Sequence, residues 1–520
     1  MPKDSSKTDK PYNDKLDGQC VENGTLESSF EYSASLEKKL VRKIDLMVLP
    51  IMLFAYMMAF LDKQTLNYTS LMSIREDLHL VGSQYNWSSS IFYFGYLFFS
   101  YPASLLMVKF PLGKYLSTVF ILWAIVLACH AATTNFAGLM VARFFLGCTE
   151  ASLSPGFTLI TSLWYRTSEQ PLRHGVWFCG NALSSIIGNL IAVGILQIET
   201  HLKTWQWLFI IFGIITFLLG IVMLFRLPDS PTSASFLTEE EKLIAIERLK
   251  ANQTGFKNSN IDNSQIMEAF TDVKTWLLAI LILAGNIPNG GFTTFNGLVL
   301  RGFGFSTFNT LLLGIPCGVV VVLFVLLSPL RGIISSKVPN SRCLVMVGCN
   351  VIRYQHFPFF FMLDNSQNTN TSNSIIGSAL VYATDSVGSR YAGLLLMGIY
   401  SATMPISMAM ISSNVGGFTK KATVSAIYFI MYCTGNIIGP QLFFEREAPR
   451  YQSGFLAIII CLIVCVVDGF ALLFYLHWTN IRRDKQRMET VSEDQEKHEV
   501  NETRLLDTTD LKNRGFRYVF

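Results

Sequence analysis

Two opposite charges, Arg143 and Glu150, interrupt an apolar run in the first half of the chain. Each would cost on the order of 3 kcal/mol at the centre of a lone helix inserted in a membrane. Their seven-residue spacing is two helical turns, so both project from one face, about 10 Å apart along the axis. This face is predicted to line a cavity, where a guanidinium group can bind an anion and a carboxylate can carry a proton. The alternative is an ion pair that fastens this helix to a neighbour.

Asp62 and Lys63 form a second pair of charges, after a wholly apolar stretch and before Asn67 and Tyr68. An ionisable residue inside such a stretch is a functional candidate by default, and Asp62 is treated as one. For Lys63 a structural alternative is open, because a lysine side chain can extend its ammonium group to the membrane interface.

Amide side chains mark three further apolar runs. Asn181, Ser185 and Asn189 recur every four residues and form one polar stripe that could line a pathway. The small residues beside this stripe indicate close helix packing: Gly180, Ser184 and Gly188.

Glycine and proline accompany the amides in the second half of the chain. The segment 286–291, Asn-Ile-Pro-Asn-Gly-Gly, is predicted to break its helix inside the membrane and to free backbone groups, which is tolerated only against protein or a water-filled cavity. Asn436 lies between Gly435 and Gly439-Pro440, a hinge or cavity feature, with a structural kink as the alternative. Four asparagines are therefore candidate substrate-binding residues: Asn181, Asn286, Asn289 and Asn436.

Motifs for other chemistry do not occur in the sequence. It contains no Gly-x-x-x-x-Gly-Lys-Ser/Thr phosphate loop, and its seven histidines never approach the spacing of a metal site. The ten cysteines also lack zinc-ligand spacing, and all but Cys20 lie in or beside apolar runs. No catalytic residue, metal or cofactor is predicted, and an enzyme is disfavoured.

The composition requires a lipid environment. Of 520 residues, 51% are hydrophobic and 15% charged, with a mean hydropathy of +0.38, which leaves too little polar surface to coat a soluble globule of 58.4 kDa. The net charge of +4 is dispersed over short clusters, which excludes a nucleic-acid partner. The first 45 residues contain no cleavable signal peptide, so the first apolar span is expected to direct membrane insertion.

Twelve runs of roughly 20 residues are long enough to cross a bilayer. We therefore predict an all-α membrane protein with twelve transmembrane helices in two six-helix halves. The spans lie near 46–66, 88–108, 115–133, 138–160, 175–196, 206–226, 276–299, 307–328, 343–363, 392–413, 423–444 and 453–477. The predicted divisions are a cytosolic N-terminal tail (1–45), the N-terminal half (46–226), a cytosolic central loop (227–275), the C-terminal half (276–477) and a cytosolic C-terminal tail (478–520).

Basic residues indicate the orientation, because cytosolic loops are enriched in lysine and arginine. Clusters precede the first span, at 38–43, and follow the last, at 482–487, and smaller ones fall in alternate loops between them. Within the central loop, Thr238 and the three glutamates that follow predict an N-capped amphipathic helix. The C-terminal tail has the mixed polar composition of a disordered trafficking or regulatory segment.

Several motifs together resemble the fungal allantoate permease group, among the anion:cation symporters of the major facilitator superfamily. The similarity extends along almost the whole chain. The motifs are Gln84 to Trp87, Tyr93 to Tyr96, Tyr101-Pro102, Arg143 to Gly147 with Glu150-Ala151 and Pro155-Gly156, Leu227 to Pro231, Asn252 to Gly255, Asn286 to Gly291, Ser413 to Gly417, Thr419 to Lys421, Gly435 to Pro440, and Phe516 to Tyr518.

The resemblance implies proton-driven uptake of a small, mostly carboxylated nutrient such as allantoate, ureidosuccinate, a dipeptide or a vitamin like nicotinate, pantothenate or biotin. By position, Asp62 and Glu150 correspond to the proton-coupling carboxylates of such symporters, and Lys63 and Arg143 to the cations that face the substrate. Lys63 replaces the arginine often found there, which argues against bidentate carboxylate binding. The resemblance also implies a monomer in the plasma membrane, with endoplasmic reticulum or Golgi as alternatives.

Two stretches depart from the superfamily pattern. Val108 stands where the loop after the second span usually has an acidic residue, so a gating ion pair is not expected there. Residues 351–374 interrupt the ninth span and are interpreted as an insertion, the alternative being a polar span followed by a long outer loop.

A nutrient sensor of the same architecture is the alternative function. Such a protein would bind its ligand and signal through its tails without net flux.

Overall fold

The computed structural model describes residues 33–166, 169–250, 262–320, 373–398, 403–490, 508–513 and 515–520. In these ranges the chain forms helices and no strands. The helices are α1 (Ala34–Ser70), α2 (Ile74–Asp77), α3 (Gln84–Lys109), α4 (Leu112–Cys129), α5 (Phe136–Glu150), α6 (Leu153–Trp164), α7 (Gln170–Ile195), α8 (Thr204–Arg226), α9 (Glu239–Lys250), α10 (Asn263–Thr271), α11 (Val273–Arg301), α12 (Thr307–Val320), α13 (Asn373–Ala383), α14 (Val387–Met397), α15 (Thr403–Asn414), α16 (Phe418–Gln441) and α17 (Gln452–Thr490).

Within the described ranges, nine helical stretches are long and apolar enough to cross a membrane. They correspond to predicted spans one to seven, eleven and twelve, with α5 and α6 together forming the fourth. The eighth span is described as α12 up to Val320, and the tenth corresponds to α14 and α15. The ninth span lies outside the described residues, as does all but the end of the predicted insertion at 351–374. The prediction of an all-α membrane protein is confirmed.

Glycines let pairs of helices approach to backbone contact in both halves. A Cβ atom added at Gly147 on α5 would lie 1.9 Å from the Phe92 carbonyl oxygen on α3, and one added at Gly439 on α16 would lie 2.3 Å from the Ile287 carbonyl oxygen on α11. Only residues without a side chain permit such crossings. The stripe of small residues on α7 also permits a close helix crossing, since a Cβ added at Gly180 would lie 2.4 Å from the Leu53 carbonyl oxygen on α1.

The predicted break at 286–291 is wrong, because α11 continues through Pro288 from Val273 to Arg301. Its glycines serve the contact with α16 instead of a break. The fourth span is interrupted instead, between α5 and α6, at Ala151 and Ser152. Pro155 falls in the first turn of α6, where the missing N–H leaves no helix hydrogen bond unmade.

Polar contacts join the two halves at the end of the bundle where α1 and α11 finish. The Gly297 N–H donates to Asn67 Oδ1 at 2.9 Å, and Asn86 Nδ2 donates to the carbonyls of Pro440 and Phe443 at 2.8 and 3.0 Å. We call this the closed end. The opposite end holds the first turns of α1 and α11.

The link between the halves contributes two helices at that opposite end. The predicted helix in the central loop is confirmed as α9, since the Thr238 N–H donates to Glu241 Oε2 at 2.9 Å and the Glu241 N–H donates to Thr238 Oγ1 at 3.3 Å. Lys43 on α1 donates to the same Glu241 carboxylate at 2.6 Å. α10 packs against α16 in the second half.

The interpretation of the C-terminal tail as disordered is wrong for its described residues. α17 continues to Thr490, and residues 508–513 and 515–520 return to pack against the second half. The polar composition of the tail predicts disorder, but a few buried side chains, among them Tyr518 and Phe520, are enough to order its described residues.

Candidate functional site

An ion pair joins the first and fourth spans near the middle of the bundle. The Lys63 ammonium group on α1 donates to Glu150 Oε1 on α5 at 2.5 Å. Glu150 is the last residue of α5, directly before the interruption of the fourth span. Its side chain is 3% exposed and that of Lys63 is 15% exposed, so the lysine is the more accessible member of the pair.

Aromatic rings surround the Lys63 ammonium group. The Phe92 and Tyr96 rings have their centroids 5.5 and 5.8 Å away, a distance at which a ring face attracts a cation. Tyr96 also packs against Phe429 of the second half, with centroids 5.2 Å apart. The pair therefore lies at the interface between the two halves.

Asp62 is fully buried beside this pair and points in another direction. Its Oδ2 accepts a hydrogen bond from Trp123 Nε1 on α4 at 2.7 Å, whereas none of the described residues bonds to its Oδ1. A buried carboxylate with an open acceptor position can take up a proton without losing an existing bond.

Arg143 lies two turns before Glu150 on α5 and is 2% exposed. Its Nε and Nη1 are buried and have no hydrogen-bond partner among the residues that the structure describes. Asp62 and Glu150 are its acidic electrostatic neighbours, although neither forms a salt bridge with it in the part of the chain that is described. A buried guanidinium group with two unused donors is suited to bind an anion that carries its own acceptors.

A cavity of about 90 Å³ lies next to the closed end, between helices of both halves. The predicted polar stripe of α7 faces it, with Ser185 accepting a hydrogen bond from Gln64 Nε2 at 2.7 Å. Gln64 follows Lys63 on α1, so the cavity begins one residue away from the ion pair along this helix, although neither Lys63 nor Glu150 lines it. The polar side chains of the lining are Gln64, Asn67, Tyr68, Asn181, Ser185, Asn189, Asn289, Thr293, Asn296 and Thr310.

The asparagines of the second half form a chain of hydrogen bonds between α11 and α16. Asn289 Nδ2 donates to Asn436 Oδ1 at 2.8 Å, and Asn436 Nδ2 donates to Asn286 Oδ1 at 3.1 Å. Asn286 and Asn436 are buried in the helix interface, and only Asn289 of the three lines the cavity. Asn286 and Asn436 are therefore placed to hold Asn289 in position.

The structure thus brings six of the eight candidate residues to two adjacent places. Four of them lie together in the first half: Lys63, Glu150, Asp62 and Arg143. The other two, Asn181 on α7 and Asn289 on α11, both line the cavity. In the described ranges, no group of three His, Cys, Asp or Glu side chains is arranged to hold a metal ion.

Sequence reasoning missed two partners of the charged residues. Trp123 lies inside an apolar run, and the signal for its role is that a buried indole N–H normally needs an acceptor. Tyr96 belongs to one of the motifs quoted for the family resemblance, but its place beside Lys63 on α1 follows only from the three-dimensional packing of the helices.

Comparison with known proteins agrees with this architecture. The sequence model of the Major Facilitator Superfamily matches residues 52–440. An uncharacterized transporter of Schizosaccharomyces pombe, C417.10, is 36% identical over 94% of this chain and 90% of its own. Allantoate permease of Saccharomyces cerevisiae is 35% identical over 94% of this chain and 87% of its own, and thiamine pathway transporter THI73 of the same yeast is 32% identical over 95% and 88%.

Solved structures show the same fold. A bacterial homologue of the human lysosomal transporter Spinster, in an inward-facing and unoccupied conformation, superposes with a TM-score of 0.56 at 14% identity, over 85% of this chain and 97% of that one. The expected family resemblance is confirmed, and the relatives' names are those of transporters. This chain is a multi-pass integral membrane protein of the major facilitator superfamily and belongs to the group of fungal transporters that includes allantoate permease.

Proposed function

We propose that this protein is a proton-coupled symporter that imports a small carboxylated nutrient across the plasma membrane. Membership of a transporter family supports transport in general. The observation that carries the finer proposal is the buried ion pair between Lys63 and Glu150, beside Arg143 with its unused donors. An anionic substrate could pair with these two cations once a proton neutralises Glu150.

Competition for Lys63 would couple substrate to proton. A substrate carboxylate that binds the Lys63 ammonium group replaces Glu150 as its partner. Removing one partner of a buried ion pair leaves the other charge uncompensated, at a cost of about 3–5 kcal/mol. Glu150 avoids this cost by taking up a proton. The loaded site then has the same net charge as the empty site when the halves rearrange, whereas without the proton it would carry one extra negative charge.

Arg143 and Asp62 have supporting roles in this proposal. Arg143 offers Nε and Nη1 to the substrate anion, while Lys63 acts as a point charge that a single oxygen can engage. Asp62, with one oxygen unpartnered, is the second carboxylate that can carry a proton. Asn181 and Asn289 would contact the uncharged part of the substrate in the adjacent cavity.

The allantoate permease relative makes allantoate the first substrate to test. We would measure uptake of labelled allantoate, ureidosuccinate, dipeptides, nicotinate, pantothenate and biotin in cells that lack the protein and in cells that express it, at external pH 5 and 7.5. Saturable uptake of one carboxylate that is faster at pH 5 and is abolished by a protonophore supports the proposal. Ligand binding without accumulation would instead identify a sensor.

The proposal includes an orientation and a division into domains. The two halves, 46–226 and 276–477, would alternate in opening, while 1–45, 227–275 and 478–520 would lie in the cytosol. The basic clusters at both ends of the membrane region support this arrangement. The closed end would then face the outside, and the transporter would act as a monomer without a cofactor.

A further inference from the structure

The last residues of the chain are buried against the second half. Thr509, Asp510 and Tyr518 are each no more than 2% exposed, and Phe520 is 9% exposed. The Phe520 ring packs on His477 of α17 with centroids 5.3 Å apart. A surface tail with no binding site would not bury polar and apolar side chains together.

Asp510 is held by charged and polar groups from several elements. Its carboxylate forms ion pairs with Lys274 at the start of α11 and, at 2.9 Å, with Lys420 in the first turn of α16. The Gly416 N–H donates to Asp510 Oδ1 at 3.0 Å, and the Tyr518 hydroxyl donates to Oδ2 at 2.7 Å. Although burial alone would raise the pKa of Asp510, the two lysines hold it below its usual value.

Two asparagine side chains each form a pair of hydrogen bonds with the backbone of the segment, donating to the carbonyl and accepting from the N–H of one residue. Asn414 Nδ2 donates to the Val519 carbonyl at 2.8 Å, and Asn414 Oδ1 accepts from the Val519 N–H at 2.7 Å. Asn480 Nδ2 donates to the Tyr518 carbonyl at 2.8 Å, and Asn480 Oδ1 accepts from the Tyr518 N–H at 3.0 Å. Arg483 donates to the Phe516 and Asp510 carbonyls, at 2.6 and 2.8 Å, and its guanidinium group lies over the Tyr518 ring.

We propose that the second half carries a peptide-binding site for the chain's own residues 508–520. The terminal-peptide site consists of Lys274, Asn414, Lys420, Asn480 and Arg483. These residues belong to α11, α15, α16 and α17, and α10 joins them because Thr509 donates to Glu268 at 3.0 Å. The bound segment therefore acts as a clamp on five helices, which it contacts on the side of the bundle opposite the closed end.

Binding in one chain makes the clamp effective even at modest affinity. A tethered ligand has an effective concentration on the order of millimolar. The clamp is independent of the proposed substrate and proton, because none of its contacts involves the Lys63 site. Its failure in the test below would leave the proposed transport function unaffected.

The test uses the full chain with a protease site inserted between residues 499 and 500 and a tag at the N-terminus. After cleavage in detergent, size-exclusion chromatography measures how much of the C-terminal fragment stays with the protein, and thermal unfolding is followed before and after. The native segment is compared with Asp510→Asn and with a matched control, Lys512→Ala, which removes one charge from an exposed position.

We expect the native and Lys512→Ala fragments to be retained at least tenfold better than the Asp510→Asn fragment. If the native fragment also dissociates on dilution, cleavage should lower the Tm by about 3 °C or more, and an excess of a synthetic 508–520 peptide should restore it. The Asp510→Asn peptide at the same concentration should not. Equal retention of all three fragments, or loss of the fragment with no change in Tm, would overturn the proposal.

Discussion

Lys63 and Glu150 are 87 positions apart in the chain, and the ammonium group of one lies 2.5 Å from the carboxylate of the other. The contact crosses from the first span to the fourth. A membrane protein keeps a buried ion pair at a considerable desolvation cost, and such pairs mark ion or substrate pathways. In the proposed symport, the substrate carboxylate would bind Lys63 and the proton would bind Glu150, so this one contact couples the two.

Arg143→Ala should weaken substrate binding, because it removes the buried guanidinium group with two unused donors. We expect KM for the carboxylate to rise at least tenfold, which corresponds to about 1.4 kcal/mol. Arg143→Lys retains the charge but loses the planar donors, so its KM should lie between those of the native protein and Arg143→Ala. Concentration-dependent uptake measures all three, and an unchanged KM in Arg143→Ala would assign this arginine a structural role.

Asn289→Leu should impair transport more than membrane insertion. The substitution puts an apolar side chain on the cavity and removes the hydrogen bond to Asn436. Asn309→Leu makes the same change at an exposed position of α12 and serves as the control. Initial uptake rates should be normalised to the amount of protein at the membrane. Native rates in Asn289→Leu would remove the cavity from the proposed substrate path.

Gly147→Ala should destabilise the first half, because the added methyl group would lie 1.9 Å from the Phe92 carbonyl oxygen. The backbones of α3 and α5 must separate, and that crossing positions Glu150 on α5 and the Phe92 ring that lies beside the Lys63 ammonium group. Gly194→Ala on α7 is the matched control, since no atom lies within 4 Å of its added Cβ. Thermal unfolding should show a Tm lower by several degrees for Gly147→Ala and unchanged or slightly higher for Gly194→Ala. Equal Tm values would mean that the two helices separate without cost.

Reporter tags should place both termini and the central loop in the cytosol. Tags at residue 1, near residue 250 and at residue 520 test the three positions, and the basic clusters flanking the membrane region are the reason for the expectation. An external signal from any of them would reverse or break the proposed topology. The closed end would then no longer face the outside.

Much of the fold could be predicted from the sequence, because apolar runs of the right length report directly on membrane spans. The charged candidates were also found, since Asp62, Lys63, Arg143 and Glu150 stand out against apolar surroundings. Their pairing could not be found in this way. The periodicity of one helix places Arg143 and Glu150 on a common face, but only the packing of α1 against that face shows that Glu150 takes Lys63 as its partner.

The errors have a common physical origin. A glycine-proline segment reads as a helix break, yet in α11 the glycines at 290 and 291 are used to approach other residues closely. A polar tail reads as disorder, yet a few specific contacts order residues 508–520. In both cases the outcome depends on a partner that is distant in the chain, which local composition does not contain.

The most direct test of the account is the transport mode of Glu150→Gln. This side chain keeps the shape of glutamate and cannot exchange a proton, so the variant resembles the protonated state permanently. In proteoliposomes with an imposed pH gradient, we expect it to lose accumulation of the carboxylate against its gradient, while exchange of internal for external substrate continues. Accumulation by Glu150→Gln at the native level and with the native pH dependence would contradict the account and leave Asp62 as the carboxylate to test next.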